Sequence, residues 1–256
     1  MANRLPVLFI GHGSPMNAIE ENEFSRAWIE AGKILPTPKV ILSISAHWET
    51  KGTQVTAMDK PRTIYDFYGF PPELYAQTYP APGAPQFAQE IRDLVGDEEI
   101  SLDVAWGLDH GTWSVLKRLF PRADVPVLQL SLDVTKNAQA HYDLGRKLSP
   151  LREDGVLIIG SGNIVHNLRM VIFEDKAYDW AQEFDGKVKK WILDDQHEPI
   201  IQYEKQGRSA ALAINSAEHF KPLLYVLGAK EAGEQVSFFV EKVWGGSLSM
   251  RAVRIG

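Results

Sequence analysis

The feature that most restricts the fold of this chain is a set of short apolar runs at residues 7–10, 40–45, 127–131 and 156–160. Each is rich in Val, Ile and Leu, and none strictly alternates. A strand with one wet face alternates polar and apolar residues, whereas a strand covered on both faces does not, so these runs read as buried strands of a mainly parallel sheet. Helical stretches at 20–34, 86–95, 112–119 and 137–148 lie between them. Strand alternating with helix builds an α/β fold with helices flanking a central sheet. Thr135 is the expected N-cap of the last of these helices.

The final third adds helices at 177–194 and 218–227, then two alternating stretches at 236–243 and 247–255 that can pair as antiparallel edge strands. There is no repeat at a solenoid period, no low-complexity tract and no polar linker, so one domain spanning 1–256 is expected. With 45% hydrophobic residues, 256 residues suffice for one sizeable core. Residues 61–85 stand apart, with six prolines and the aromatics Tyr65, Phe67, Tyr68, Phe70, Tyr75 and Tyr79. That composition predicts a long ordered loop, fastened to the core by its aromatics or serving as a wall or lid of an active site.

Charge and cysteine content narrow the chemistry. A net charge of -6 argues against a surface that collects nucleic acid or docks on an anionic membrane, which leaves small molecules as partners. One arginine followed by the apolar run 7–10 is too short for a signal or membrane-spanning segment, which fits a cytoplasmic location. The absence of cysteine excludes disulfides, thiolate zinc sites, iron–sulfur clusters and thiol nucleophiles. Any metal must be held by His, Asp or Glu.

Seven histidines are present, and their placement is informative. His12 and His47 each follow a predicted strand by two residues, and in a parallel sheet the carboxyl ends of the strands meet at the edge that receives ligands. His166 follows the fourth strand across Ser161-Gly162-Asn163. His110 opens a helix within Asp109-His110-Gly111-Thr112, and His219 stands where another helix begins. Singly, each reads as a satisfied structural residue. Together, beside Gly and Ser, they leave room for a ligand. His141 and His197 have charged or polar neighbours, read as solvated surface residues, and are left out of the site. Imidazoles, with or without one carboxylate, suit zinc, iron(II), copper or nickel better than calcium or magnesium.

Two glycine motifs point elsewhere only superficially. Gly11-His12-Gly13-Ser14-Pro15-Met16 has Met16 where a dinucleotide fingerprint needs its third glycine, and Gly160-Ser161-Gly162 has Val165 there. No nucleophile elbow, phosphate-binding P-loop or His-Glu-x-x-His is present.

The segments Gly11-His12-Gly13-Ser14-Pro15-Met16-Asn17, Ser45-Ala46-His47-Trp48, Asp109-His110-Gly111-Thr112-Trp113, Ser161-Gly162-Asn163-Ile164-Val165-His166-Asn167-Leu168 and Glu218-His219 resemble the class III extradiol ring-cleavage dioxygenases. Further matching stretches at 63–71, 79–85 and 223–229 carry the resemblance along nearly the whole chain. It implies an α/β fold and a divalent metal, iron(II) for activity with zinc possible as the bound ion. His12 and His47 would be ligands, His219 or Glu218 would complete the set, and His166 would be a fourth ligand. The implied reaction opens a catechol such as L-DOPA with dioxygen to a muconic semialdehyde. By the same resemblance His166 would act as the base and His110 as a hydrogen-bond donor to dioxygen or to developing negative charge. Arg62, Arg169 and Asp66, near these motifs, are the charged groups available to an amino-acid side group. Two other readings use the same histidines: a zinc hydrolase and a metal- or ligand-binding protein without turnover.

Overall fold

The computed structural model describes residues 4–96 and 98–256. Ten strands are formed among them: β1 (Val7–Gly11), β2 (Val40–Thr50), β3 (Thr53–Thr56), β4 (Ile100–Asp103), β5 (Val127–Asp133), β6 (Val156–Gly162), β7 (Val236–Val240), β8 (Val243–Trp244), β9 (Leu248–Ser249) and β10 (Ala252–Ile255). Eight of them make one sheet in the order β4-β3-β5-β2-β6-β1-β10-β7, and β8 pairs with β9 separately. The four anticipated strands form its parallel centre, β5-β2-β6-β1.

Both faces of that centre are covered, which is why its strands do not alternate. Val7, Phe9, Leu42, Ile44, Leu128, Leu130 and Ile158 face one buried cluster, with the helices Pro85–Val95, Ala138–Leu148, Asp179–Leu193 and Lys221–Gly228. Leu8, Ile10, Ile41, Val127, Leu157 and Ile159 face the other, where the helices Glu23–Ile34 and His110–Leu119 contribute Phe24, Trp28, Trp113 and Leu116. Each fully buried aliphatic or aromatic side chain contributes roughly 1.5–3 kcal/mol of transfer free energy. No described helix is long and apolar enough to cross a membrane.

The edges hold the differences from the sequence expectation. β3 and β4 read Thr-Gln-Val-Thr and Ile-Ser-Leu-Asp, too short and polar to stand out as apolar runs. At the other edge β10 pairs antiparallel with both β1 and β7, as the alternation of the C-terminal stretches anticipates. Thr135 is not the cap of Ala138–Leu148. Its hydroxyl is drawn to Asp133 Oδ1 at 2.8 Å, and the Asn137 side chain accepts the Ala140 N–H instead, at 3.0 Å. Residues 61–85 form an ordered loop with one short helix, Pro72–Tyr75. Tyr79 is buried and donates to the Phe120 carbonyl at 2.9 Å, while Tyr68 is 92% exposed, so the aromatics divide between anchoring the loop and facing outward.

The register sets up the site. Gly11 of β1 lies opposite Gly162 of β6, and Ser45 of β2 lies opposite Ser161. The pairing of β1 and β2 with β6 therefore ends nearly level, with β6 in the middle and the residues that follow Gly11 and Ser45 on either side of it.

Candidate active site

His12 leaves β1 one residue after its end. His47 is not beyond β2 but within it, where the pairing with β5 slips: Ile44 is opposite Leu130 and Glu49 is opposite Leu132. Four residues on β2 thus oppose one on β5, and such a bulge re-aims side chains. It turns His47 toward His12, leaving their Nε2 atoms 3.0 Å apart. His110 is the first residue of its helix and lies 4.0 Å from His47, ring to ring. His219, in the turn before Lys221–Gly228, is 5.2 Å from His12 and 4.9 Å from His47 on the same measure. His166 stacks on His219 at 3.4 Å with the rings nearly parallel. All five histidines singled out in the sequence therefore converge.

Two groups of potential ligand atoms exist within this cluster. Those of His12, His47 and His110 all lie within 4.8 Å of one another, and so do those of His166, Glu218 and His219. The contacts of the outward ring nitrogens decide how these atoms point. Ser161 Oγ is 2.5 Å from the Gly111 carbonyl, to which it must donate, so it can only accept from His12 Nδ1 at 2.9 Å. That fixes the proton on Nδ1 and leaves a lone pair on Nε2. Asp66 Oδ2 faces Nδ1 of His110 at 2.8 Å and Nδ1 of His47 at 3.3 Å, and Glu218 Oε1 lies 3.0 Å from Nδ1 of His219. Carboxylates behind imidazoles select the same tautomer and are the usual supports of metal-ligating histidines.

This arrangement fits a divalent cation. Two neutral imidazole lone pairs facing each other across 3.0 Å repel unless something positive lies between them. A proton is a poor candidate, because burial and the neighbouring His110 push His47 down to about 3. Burial also holds His12 and His219 well below the usual histidine value, and it lowers His166 to about 4. At neutral pH these four are uncharged bases, the form that binds a metal. No thiolate is available, and the nitrogen-rich set favours a transition metal or zinc over calcium or magnesium.

A second layer, invisible in the sequence, holds the histidines in place. Asp109 is fully buried, with its Oδ1 accepting from Ser45 Oγ at 2.7 Å and from the Thr112 N–H at 3.2 Å. Its Oδ2 accepts from the Gln129 amide. Burial, reinforced by Asp66, raises Asp109 to about 6. The residue ties the bulge carrying His47 to the helix carrying His110. Gly111 is needed for that closeness, since a Cβ there would lie 2.6 Å from Ser45 Oγ and 3.0 Å from His47 Cδ2. The space beside this glycine is occupied by the protein itself, not left for a ligand.

Other expectations are corrected. His141 is buried, not solvated, with Nδ1 2.9 Å from the Tyr225 hydroxyl. His197 is largely covered and contacts the Tyr142 hydroxyl at 2.9 Å. These contacts come from Tyr225, 84 residues from His141, and from Tyr142, 55 residues from His197, which local charge could not reveal. Neither joins the cluster. Arg62 donates to the Trp106 carbonyl at 2.9 Å and Arg169 is exposed, while Asp66 is engaged with His110 and His47. From the proline-rich loop, Phe67 meets His110 edge to face at 5.6 Å.

Comparison with known proteins agrees with this geometry. Residues 7–246 match the family model LigB, described as the catalytic LigB subunit of aromatic ring-opening dioxygenase. The chain is 46% identical to 4,5-DOPA dioxygenase extradiol of Escherichia coli (strain K12), covering 100% of this chain and 96% of that protein. It is 39% identical to 4,5-DOPA dioxygenase extradiol of Beta vulgaris, covering 94% of this chain and 92% of the relative. The crystal structure of an uncharacterized protein from Escherichia coli K12 superposes with a TM-score of 0.86 at 43% identity, covering 99% of this chain and 100% of that one. With its fold, its converging imidazoles and these relatives in agreement, the chain belongs to the LigB family of aromatic ring-opening dioxygenases.

Proposed function

We propose that this chain, as a single catalytic domain, opens L-DOPA or a closely related catechol between ring carbons four and five, with both atoms of dioxygen retained in a muconic semialdehyde. The observation that carries the reading is the pair of inward Nε2 lone pairs of His12 and His47, 3.0 Å apart amid three further histidines. The names of the relatives support DOPA as the substrate. Iron(II) held here would acidify the catechol and supply the redox chemistry toward dioxygen that zinc lacks.

His12, His47 and His219 hold the metal in this proposal, with Glu218 behind His219 and His166 available as a fourth ligand when zinc is bound. His166 is uncharged at neutral pH because of its burial. It can therefore take the second catechol proton on a ring nitrogen and return it as the ring opens. His110 has Nδ1 turned to Asp66, which leaves Nε2 as the ring nitrogen for a hydrogen bond to dioxygen or to developing negative charge. A preorganised donor of this kind contributes about 3 kcal/mol at a transition state that gathers negative charge. Phe67 offers an aromatic face to the substrate ring.

The test is anaerobic loading with iron(II), then exposure to air with L-DOPA and a panel of catechols, following oxygen uptake and a yellow ring-opened product. Zinc-loaded protein is the control. Oxygen uptake with iron alone is the expected result, and its absence across the panel together with zinc-dependent ester or amide hydrolysis would replace this reading with a hydrolase. The grouping of His110 with His12 and His47 favours a second assignment of His110, as a ligand. His110→Ala should keep its metal and lose turnover, whereas loss of the metal would move His110 into the ligand set.

A further inference from the structure

Asp66 belongs to the proline-rich loop, a part of the chain remote in sequence from every histidine of the cluster. Its carboxylate is nevertheless only 18% exposed and is shared among three contacts. Oδ1 accepts the backbone N–H of His110 at 2.9 Å, while Oδ2 accepts from His110 Nδ1 at 2.8 Å and faces His47 Nδ1 at 3.3 Å. The loop is fastened on either side of this point. Trp113 Nε1 donates to the Ile64 carbonyl at 2.8 Å, and the Phe67 ring lies against both Trp113 and His110.

We propose that Asp66 is a positioning residue whose single carboxylate fixes the Nδ1–H tautomer of both His47 and His110, setting the inward nitrogens of the metal site and the placement of the Phe67 loop together. The inference rests on the metal-site reading above. An ionised carboxylate has about four acceptor positions and no donor, so it can serve a backbone N–H and two imidazole N–H groups at once. An amide in the same place cannot. Its single oxygen can meet either the backbone N–H of His110 or the two rings, and because the backbone N–H cannot relocate its proton the oxygen settles there and the NH2 group confronts the imidazole N–H groups, donor against donor. A ring so confronted must exchange its tautomer, which moves its proton to the inward nitrogen and blocks the lone pair that would bind metal.

Asp66→Asn, close in shape to the native residue, separates this role from simple packing. In metal-free protein at pH 8, long-range nitrogen–proton NMR of labelled histidines should show the Nδ1–H pattern on His47 and His110 in the parent. At least one of them should switch to Nε2–H in the variant. Zinc affinity, measured by competition with a chromophoric chelator, should fall roughly 10- to 100-fold, the usual cost of losing a carboxylate behind a metal-ligating histidine. If the asparagine variant folds poorly, Asp66→Ala gives the same two readouts, since it removes the acceptor without adding a donor. Unchanged tautomers with unchanged zinc affinity would overturn the proposal. His12→Ala keeps the two readings distinguishable. If it loses zinc while Asp66→Asn does not, only the role of Asp66 is refuted, and if it retains zinc, the metal-site reading itself fails.

Discussion

Replacing Gly111 with alanine tests whether the close approach of helix and bulge holds the site. The new Cβ would stand 2.6 Å from Ser45 Oγ, 3.0 Å from His47 Cδ2 and 3.3 Å from Asp109 Oδ1. None of these is the loose end of a flexible side chain: Ser45 is held by Asp109 at 2.7 Å and His47 faces Asp66 at 3.3 Å. Each contact can be relieved only by moving the bulge or the helix by a few tenths of an ångström. Overpacking a fitted interior costs about 1–3 kcal/mol, and exchanging glycine for alanine in a helix returns about 0.5–1 kcal/mol, less in a first turn. The balance is a loss of about 1–2 kcal/mol, or roughly 2–8 °C in Tm for a chain of this size. Thermal unfolding in EDTA reads the packing cost alone, and chelator competition then reads zinc affinity, which should fall because His47 has moved. An unchanged or raised Tm in EDTA together with unchanged affinity would refute the account of how Ser45, Asp109 and Gly111 position His47.

Ser161→Ala should leave the fold intact but free the His12 tautomer, lowering zinc affinity roughly 10- to 100-fold by the same chelator assay; retained affinity would show that the hydroxyl does not hold His12. Arg152 is fully buried against Glu234 and the carbonyls of Leu5 and Ala229, so Arg152→Ala should cost about 3–5 kcal/mol in urea unfolding, and a loss under 1 kcal/mol would contradict the buried-pair reading. Burial and then Lys221 lower His141 from the usual histidine value of 6.5 to about 4. The unfolded chain binds that proton near pH 6.5 and the folded chain only near 4, so His141 removes up to about 3 kcal/mol of stability as pH falls across that window and none above it. The stability of the parent minus that of His141→Asn should therefore shrink from pH 7 to pH 4, and a pH-independent difference would refute it.

The centre of the sheet was legible because a strand buried on both faces must be apolar throughout, as β6 is from Val156 to Gly162. The edge formed by β3 and β4 was less so, because these are four-residue strands in which polar residues interrupt any apolar run. The five clustered histidines stood out through their places at strand ends and helix starts. What local sequence could not convey was relative placement. The bulge in β2, the Asp109 link between Ser45 and Gln129, and the carboxylate of Asp66 all depend on segments more than 15 residues apart meeting in space. His141 shows the same limit in reverse, since its charged neighbours suggest solvent while Tyr225, 84 residues away, covers it.

The most direct test of the central claim is a crystal structure of zinc-loaded protein with data collected at the zinc absorption edge. One anomalous peak per chain, bonded to Nε2 of His12 and Nε2 of His47, is the expected result. A peak away from both nitrogens, or none at saturating zinc, would contradict it.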